Sequence, residues 1–208
     1  MPAPPHGTTQ PQGTTQPHEA TARTATQISR TDLLINDLVT IYLAEGFQHL
    51  GIADLARRLS CSKTTLYSVA PSKEQIIVVA VRAFFRGATE RVEAAAERPG
   101  DPRDRIATYL QAIADELRPA SPAFIGDVEA FAPAREIYRR NTQAAAARVQ
   151  QLVGEARTIS TELDPTFVGV VAGLVMEAVQ RGTIARDTHL EHSQAYAALS
   201  DLLVAGLA

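Results

Sequence analysis

Apolar side chains recur along this chain at three- and four-residue steps, the spacing of one buried helical face. Leu34, Ile35, Leu38, Val39, Ile41 and Tyr42 form the first such stripe. Ser29 or Thr31 can cap its start, and Gly46 can end it in the left-handed backbone that closes a helix. Ile52, Leu55, Ala56 and Leu59 make a second, shorter stripe behind Gly51. Arg57 and Arg58 stand at its C-terminal end, where the helix dipole favours cations. Ser60, Cys61 and Ser62 form a turn, and Ser62 caps a third helix from Lys63 to about Val69. Only Leu66 anchors that helix inward, which leaves Lys63, Thr64, Thr65, Tyr67 and Ser68 on its outer side. Past Pro71, a capping box from Ser72 to Gln75 opens a fourth helix, Lys73 to about Glu97. Ile76, Ile77, Ala80, Phe84 and Ala88 line its inner face.

The helical pattern resumes after Pro99 and Gly100. A fifth helix is expected from Pro102 to Leu117, a short one from Ala123 to Phe131, and a long one from Pro133 to about Ile159. Asp164 and Pro165 start an eighth, which ends at Arg181 and Gly182, and the last runs from Leu190 to Leu207. No segment alternates apolar and polar residues for long enough to argue for a sheet, so the class is all-α with about nine helices. Both final helices carry little charge over a wide face: Val168, Val171, Ala172, Val175, Met176 and Val179 in one, and Ala195, Ala198, Leu199, Leu202 and Leu203 in the other. A monomer would expose much of this, whereas two copies pairing through residues 165–181 and 190–207 would bury it as a four-helix bundle. Gly169 and Gly173 would permit the close approach.

Residues 1–27 differ in kind. The run from Gly7 to Gln12 is nearly repeated from Gly13 to His18, poor in apolar side chains and interrupted by proline. Such a segment cannot offset its ordering entropy, so it is expected to be a disordered arm. The expected organisation is this arm, a small helical unit over 28–72 and a larger helical body over 73–208.

The second and third helices have the spacing of a helix-turn-helix, a crossed pair that presents one helix to the DNA major groove. Threonine can touch a base edge or the thymine methyl, and tyrosine commonly bonds phosphate. Lys73 is a cation in the first turn of a helix, where it opposes the dipole. A solvated lysine there costs little; beside a helix-turn-helix, a phosphate contact is the favoured reading.

The stretch from Arg30 to Ile76 resembles the DNA-binding domain of TetR-family transcriptional regulators. The resemblance rests on Leu34-Ile35, Ile41-Tyr42, Glu45-Gly46-Phe47, Ile52, Leu55-Ala56, Ser62 to Tyr67 and Ser72-Lys73-Glu74. It implies a homodimer that binds a palindromic operator through Lys63, Thr64, Thr65, Tyr67 and Ser68, with Lys73 on phosphate. It also implies a repressor released by a small-molecule effector. The effector pocket would lie among the middle helices, where Phe84, Tyr109, Ile113, Phe124, Phe131, Tyr138 and Met176 are candidates for its wall. Asp127, Glu129 and Arg135 are polar candidates for its mouth. Four positions depart from the family pattern. Leu50-Gly51 replaces the usual capping Thr-Ser or Thr-Thr, Ser60 the turn glycine, and Ala70 a large aromatic. The alternative is a regulator of the same fold without a small ligand, controlled by a protein partner or by redox state at Cys61.

Composition narrows the remaining classes. The formal net charge is -3, so any basic DNA-binding face must be local, built from Arg57, Arg58, Lys63 and Lys73. A single cysteine excludes an intramolecular disulfide and a cysteine-based zinc cluster. There is no Gly-rich phosphate loop, no nucleophile elbow and no convincing metal-ligand spacing, so no enzyme, cofactor or metal is expected. His189 and His192 read as exposed polar residues before the last helix. With no apolar signal segment and no run long enough to span a bilayer, the cytoplasm is the expected compartment.

Overall fold

A helix leaves its first N–H groups and last C=O groups without partners, and the ends of these helices show how each is satisfied. The computed structural model describes residues 29–97, 101–156 and 164–207, so the expected arm over 1–27 lies outside the described residues. Among the described residues there are ten α-helices and no strand. Helix α1 (Arg30–Glu45) is capped by Ser29, whose Oγ accepts from Asp32 N while Asp32 takes the Ser29 N–H in return. Gly46 then turns the chain at φ +82°. Helix α2 (Ile52–Arg58) starts at Gly51 with no side-chain cap, and α3 (Lys63–Tyr67) starts at Ser62, whose Oγ accepts from Thr65 N. Helix α4 (Lys73–Ala96) begins at Ser72, which accepts from Gln75 N.

The larger body holds α5 (Pro102–Leu117), α6 (Pro122–Ala130), α7 (Ala132–Ala156), α8 (Pro165–Gln180), α9 (Thr183–Thr188) and α10 (His192–Leu207). Ser121 caps α6 and Asp164 caps α8. The expected extension of α7 toward Ile159 lies outside the described residues. Helix α9 is a correction to the expected count. Gly182, at φ +70°, both ends α8 and starts this six-residue turn, which has no buried residue and so no apolar periodicity to betray it. Helix α5 lies against α4, α7 and α10, α7 runs along α8, and α1 sits on α4 and α6.

Ile106, Leu110, Val149, Leu152, Ala172 and Met176 are fully buried where these helices meet. Large side chains buried in this way each contribute about 1.5–3 kcal/mol. The face of α8 expected to meet a second copy is thus partly used within the protomer: Val168, Ala172, Met176 and Val179 are buried, as are Ala195, Leu199 and Leu203 of α10. Gly169 serves the same packing, since a Cβ there would come 2.6 Å from Gln150 Cγ and 3.1 Å from Gln150 Cα. A Cβ on Gly173 would meet Ala146 Cβ at 3.6 Å. Gly169 therefore fits α8 closely against α7, and Gly173 faces the same helix at ordinary contact distance. Helix α8 is apolar nearly all round, so its sequence shows a wide greasy face without showing which sector faces inward. Phe167, Val170 and Leu174 of α8 remain exposed, with Leu202 and Val204 of α10.

Candidate nucleic-acid interface and interhelical cavity

Leu66 fixes the orientation of α3. It is fully buried beside Leu55 and Leu50, which turns Lys63, Thr64, Tyr67 and Ser68 to the outside. Tyr67 is 45% exposed, unusual for so large a side chain. Thr65 is the exception in this set. It is half-buried, and its Oγ1 lies 2.8 Å from Ser62 Oγ within the cap. Ser68 donates its hydroxyl to the Thr65 carbonyl. Lys63 and Thr64 thus present the least committed polar groups. Ser60, where the family pattern has glycine, sits at φ +48°.

The expected basic face is smaller than the sequence suggests. Arg57 pairs with Asp54, and Arg58 with Glu45 and Asp54. Lys63 stands exposed, while Lys73 donates from Nζ to the Gln48 carbonyl at 2.8 Å. Lys73 therefore braces the turn between α1 and α2 at the edge of the same surface.

Asp127 was a candidate for a pocket mouth, and the structure places it elsewhere. Its Oδ2 accepts from Phe47 N at 2.5 Å and from Gln48 N at 2.8 Å, so α6 caps the α1–α2 turn. Ser121 N donates to the Leu43 carbonyl at 2.8 Å and ties the start of α6 to α1. Glu129 accepts from Gln180 Nε2, Arg135 donates to the Glu129 carbonyl, and neither belongs to the lining of the cavity between the middle helices. Nothing in the local sequence around Asp127 marks a contact about eighty residues away.

The middle helices line a cavity of about 60 Å³ between α4, α5, α7 and α10. Four of the expected wall residues line it: Phe84, Tyr109, Ile113 and Tyr138. Phe124, Phe131 and Met176 do not. Met176 is fully buried in the core, and the rings of Phe124 and Phe131 each lie 6.2 Å from Phe47. Phe124 and Phe131 pack beside the α1–α2 turn and not on this cavity. Phe85, Thr142 and Tyr196 complete the wall in their place. Burial pushes the Tyr109, Tyr138 and Tyr196 hydroxyls well above their ordinary value, so they stay protonated hydrogen-bond donors.

A continuous line of rings joins cavity and turn. Phe47 meets Phe124 at 6.2 Å, Phe124 meets Phe84 at 5.8 Å, Phe84 meets Phe85 at 5.0 Å, and Phe85 stacks on Tyr138 at 5.0 Å. His192 lies 6.2 Å beyond Tyr138 and is not the exposed residue expected from sequence, because its Nε2 is buried without a partner.

No protein-family model and no curated protein matches this chain in sequence. Solved structures do match in shape. A transcriptional regulator of the TetR/AcrR family from Thermobifida fusca superposes with a TM-score of 0.58 at 22% identity, over 85% of this chain and 97% of its own. A protein from Saccharomonospora viridis described as a transcriptional regulator, in complex with choline, gives 0.64 at 14% identity over 83% and 94%. The regulator FadR from Bacillus subtilis in complex with stearoyl-CoA gives 0.58 at 13% identity over 83% and 97%. This chain has the fold of the TetR-family regulators. The short exposed α3 is the helix to which the sequence resemblance assigns DNA recognition. Among the described residues no group of His, Cys, Asp or Glu is placed to hold a metal ion, and no helix is long and apolar enough to cross a membrane.

Proposed function

We propose that this chain is a DNA-binding transcriptional regulator, a repressor that binds a palindromic operator as a homodimer and leaves it when a small molecule occupies the aromatic cavity. The observation that carries this reading is the exposed α3, whose only buried side chain is Leu66 and whose outer side offers Lys63, Thr64 and Tyr67. In this reading 28–72 is the DNA-binding unit and 73–208 the effector and dimerisation body. Thr64 and, less freely, Thr65 touch bases, while Tyr67, Ser68 and Lys73 meet phosphate.

The second copy docks on Phe167, Val170 and Leu174 of α8 with Leu202 and Val204 of α10. These large apolar groups are exposed in the protomer, Phe167 by 64% and Leu174 by 62%. An exposed apolar patch of this kind marks an interface. The two recognition helices must then sit about 34–36 Å apart to enter successive major grooves.

Release follows from linkage. A ligand lowers DNA affinity only if it binds the DNA-competent arrangement less well. Helix α4 carries Lys73 at its start and Phe84, Phe85, Ala88 and Val92 along the cavity, so separating the cavity walls moves the helix that opens beside the α1–α2 turn. The ring contacts from Phe85 through Phe124 to Phe47 give a second mechanical route to that turn. The bound choline and stearoyl-CoA of the two structural neighbours support a ligand-binding role for the fold.

Fluorescence anisotropy with a selected operator tests the assignment. Tyr67→Ala and Lys73→Ala are expected to weaken binding to all duplexes, and Thr64→Ala to reduce the preference for the operator over random DNA. Binding unaffected by all three substitutions would refute the assigned face.

A further inference from the structure

The cavity's hydrogen-bonding inventory is nearly closed, and what is left open describes a ligand. Two carboxylates reach its edge. Glu93 accepts from Arg148 Nε at 3.1 Å and from the Tyr109 hydroxyl at 3.2 Å. Glu116 accepts twice from Arg91, at 2.6 and 2.5 Å. Each acid is therefore already neutralised by an arginine. No lysine lines the cavity, since the only two in the chain are Lys63 and Lys73. An anion would find no free cation there, and an organic cation would have to displace an arginine. The Thr89 hydroxyl is taken up by Asn141 Oδ1 and the Phe85 carbonyl.

Beside the Tyr196 hydroxyl, two fully buried hydroxyls of the lining remain. Tyr138 and Thr142 stand one turn apart on α7, each only 2% exposed, and neither Tyr138 OH nor Thr142 Oγ1 has a partner. Thr142 lies beside Tyr196 without a hydrogen bond of good geometry. A buried hydroxyl without a partner is costly and asks for an explanation, and here both sit on one wall of the same cavity. The aromatic and aliphatic part of the lining is supplied by Phe84, Phe85, the ring of Tyr109 and Ile113, with Phe85 stacked on the Tyr138 ring at 5.0 Å.

We propose that the cavity binds a compact, uncharged aromatic molecule bearing one hydroxyl or carbonyl oxygen, held between the phenyl rings with that oxygen bonded to Tyr138 OH and Thr142 Oγ1. The proposal rests on the effector reading above and gives its ligand a chemical class. A ring needs more space than the unliganded cavity provides, because benzene is accommodated by cavities of about 150 Å³. Binding therefore separates α4 from α7, and that displacement is the signal.

Calorimetric titration of the full chain with phenol, benzyl alcohol, acetophenone, toluene, benzoate and benzyltrimethylammonium tests this without DNA. The three neutral oxygenated compounds are expected to bind about tenfold more tightly than toluene and than either ion. Tyr138→Phe and Thr142→Val, each a near-isosteric change, should shrink the advantage over toluene while leaving toluene affinity in place. Tighter binding of an ion, equal binding of toluene, an advantage that survives both substitutions, or no binding by any compound would overturn the proposal. If the neutral compounds bind as expected but leave operator affinity unchanged, the ligand class stands and the effector reading falls.

Discussion

Ser60 bears the strain of the tight turn between α2 and α3. Its φ of +48° places a side chain in the left-handed region, where an L-residue loses about 1–2 kcal/mol. Glycine escapes that penalty but carries more freedom in the unfolded chain, which returns part of the gain. Ser60→Gly should therefore stabilise the protein by about 0.5–1 kcal/mol in urea unfolding, and destabilisation would contradict the reading of the turn. This strain was visible in the sequence, because the resemblance assigns glycine to the position and the residue present lacks its freedom. The commitment of Thr65 was not visible. Helical spacing places Thr64 and Thr65 alike on an outer side, and only the Ser62–Thr65 hydroxyl contact separates them.

At the scale of elements, α6 is the piece that sequence alone misassigns. Its phenylalanines read as pocket wall and its aspartate as pocket rim, since a periodic apolar stripe does not name its partner. In the fold the same residues clamp the α1–α2 turn, with Asp127 over Gly46, where a Cβ would approach Asp127 Oδ2 to 2.6 Å. Removing the carboxylate leaves two backbone N–H groups unanswered. Asp127→Ala should cost about 2–3 kcal/mol in urea unfolding and speed amide exchange at Phe47 and Gln48. Unchanged exchange there would show that the clamp is not formed. Between α7 and α10, burial holds His192 below its ordinary pKa of 6.5, against the opposing pull of the Gln180 backbone and Glu191. The neutral imidazole is favoured in the folded state, so its contribution is complete above the ordinary value and is lost as pH falls toward the lowered one. From about pH 8 to about pH 5, the melting temperature of the native chain should fall relative to that of His192→Phe. A constant difference across that range would contradict the buried assignment.

For the whole molecule, the helical class and the order of nine of the ten helices followed from periodicity, caps and prolines. Which sector of α8 turns outward did not, because a helix apolar on every side carries no phase. The outward sector found here, Phe167 with Leu174, is where two copies are proposed to meet. Replacing both with glutamate should halve the mass measured by sedimentation while keeping helical content, since neither side chain is buried in the protomer. A dimer that persists would place the interface elsewhere. The proposed function depends on this symmetry as much as on α3. The most direct measurement is selection of bound sequences from random duplex DNA by the full chain, beside the Thr64→Ala Lys73→Ala variant. The account predicts an inverted repeat with half-site centres about 10–10.5 base pairs apart, or a multiple of that spacing, recovered by the native chain and lost in the variant. Recovery of no repeat, or of the same repeat by both proteins, would contradict it.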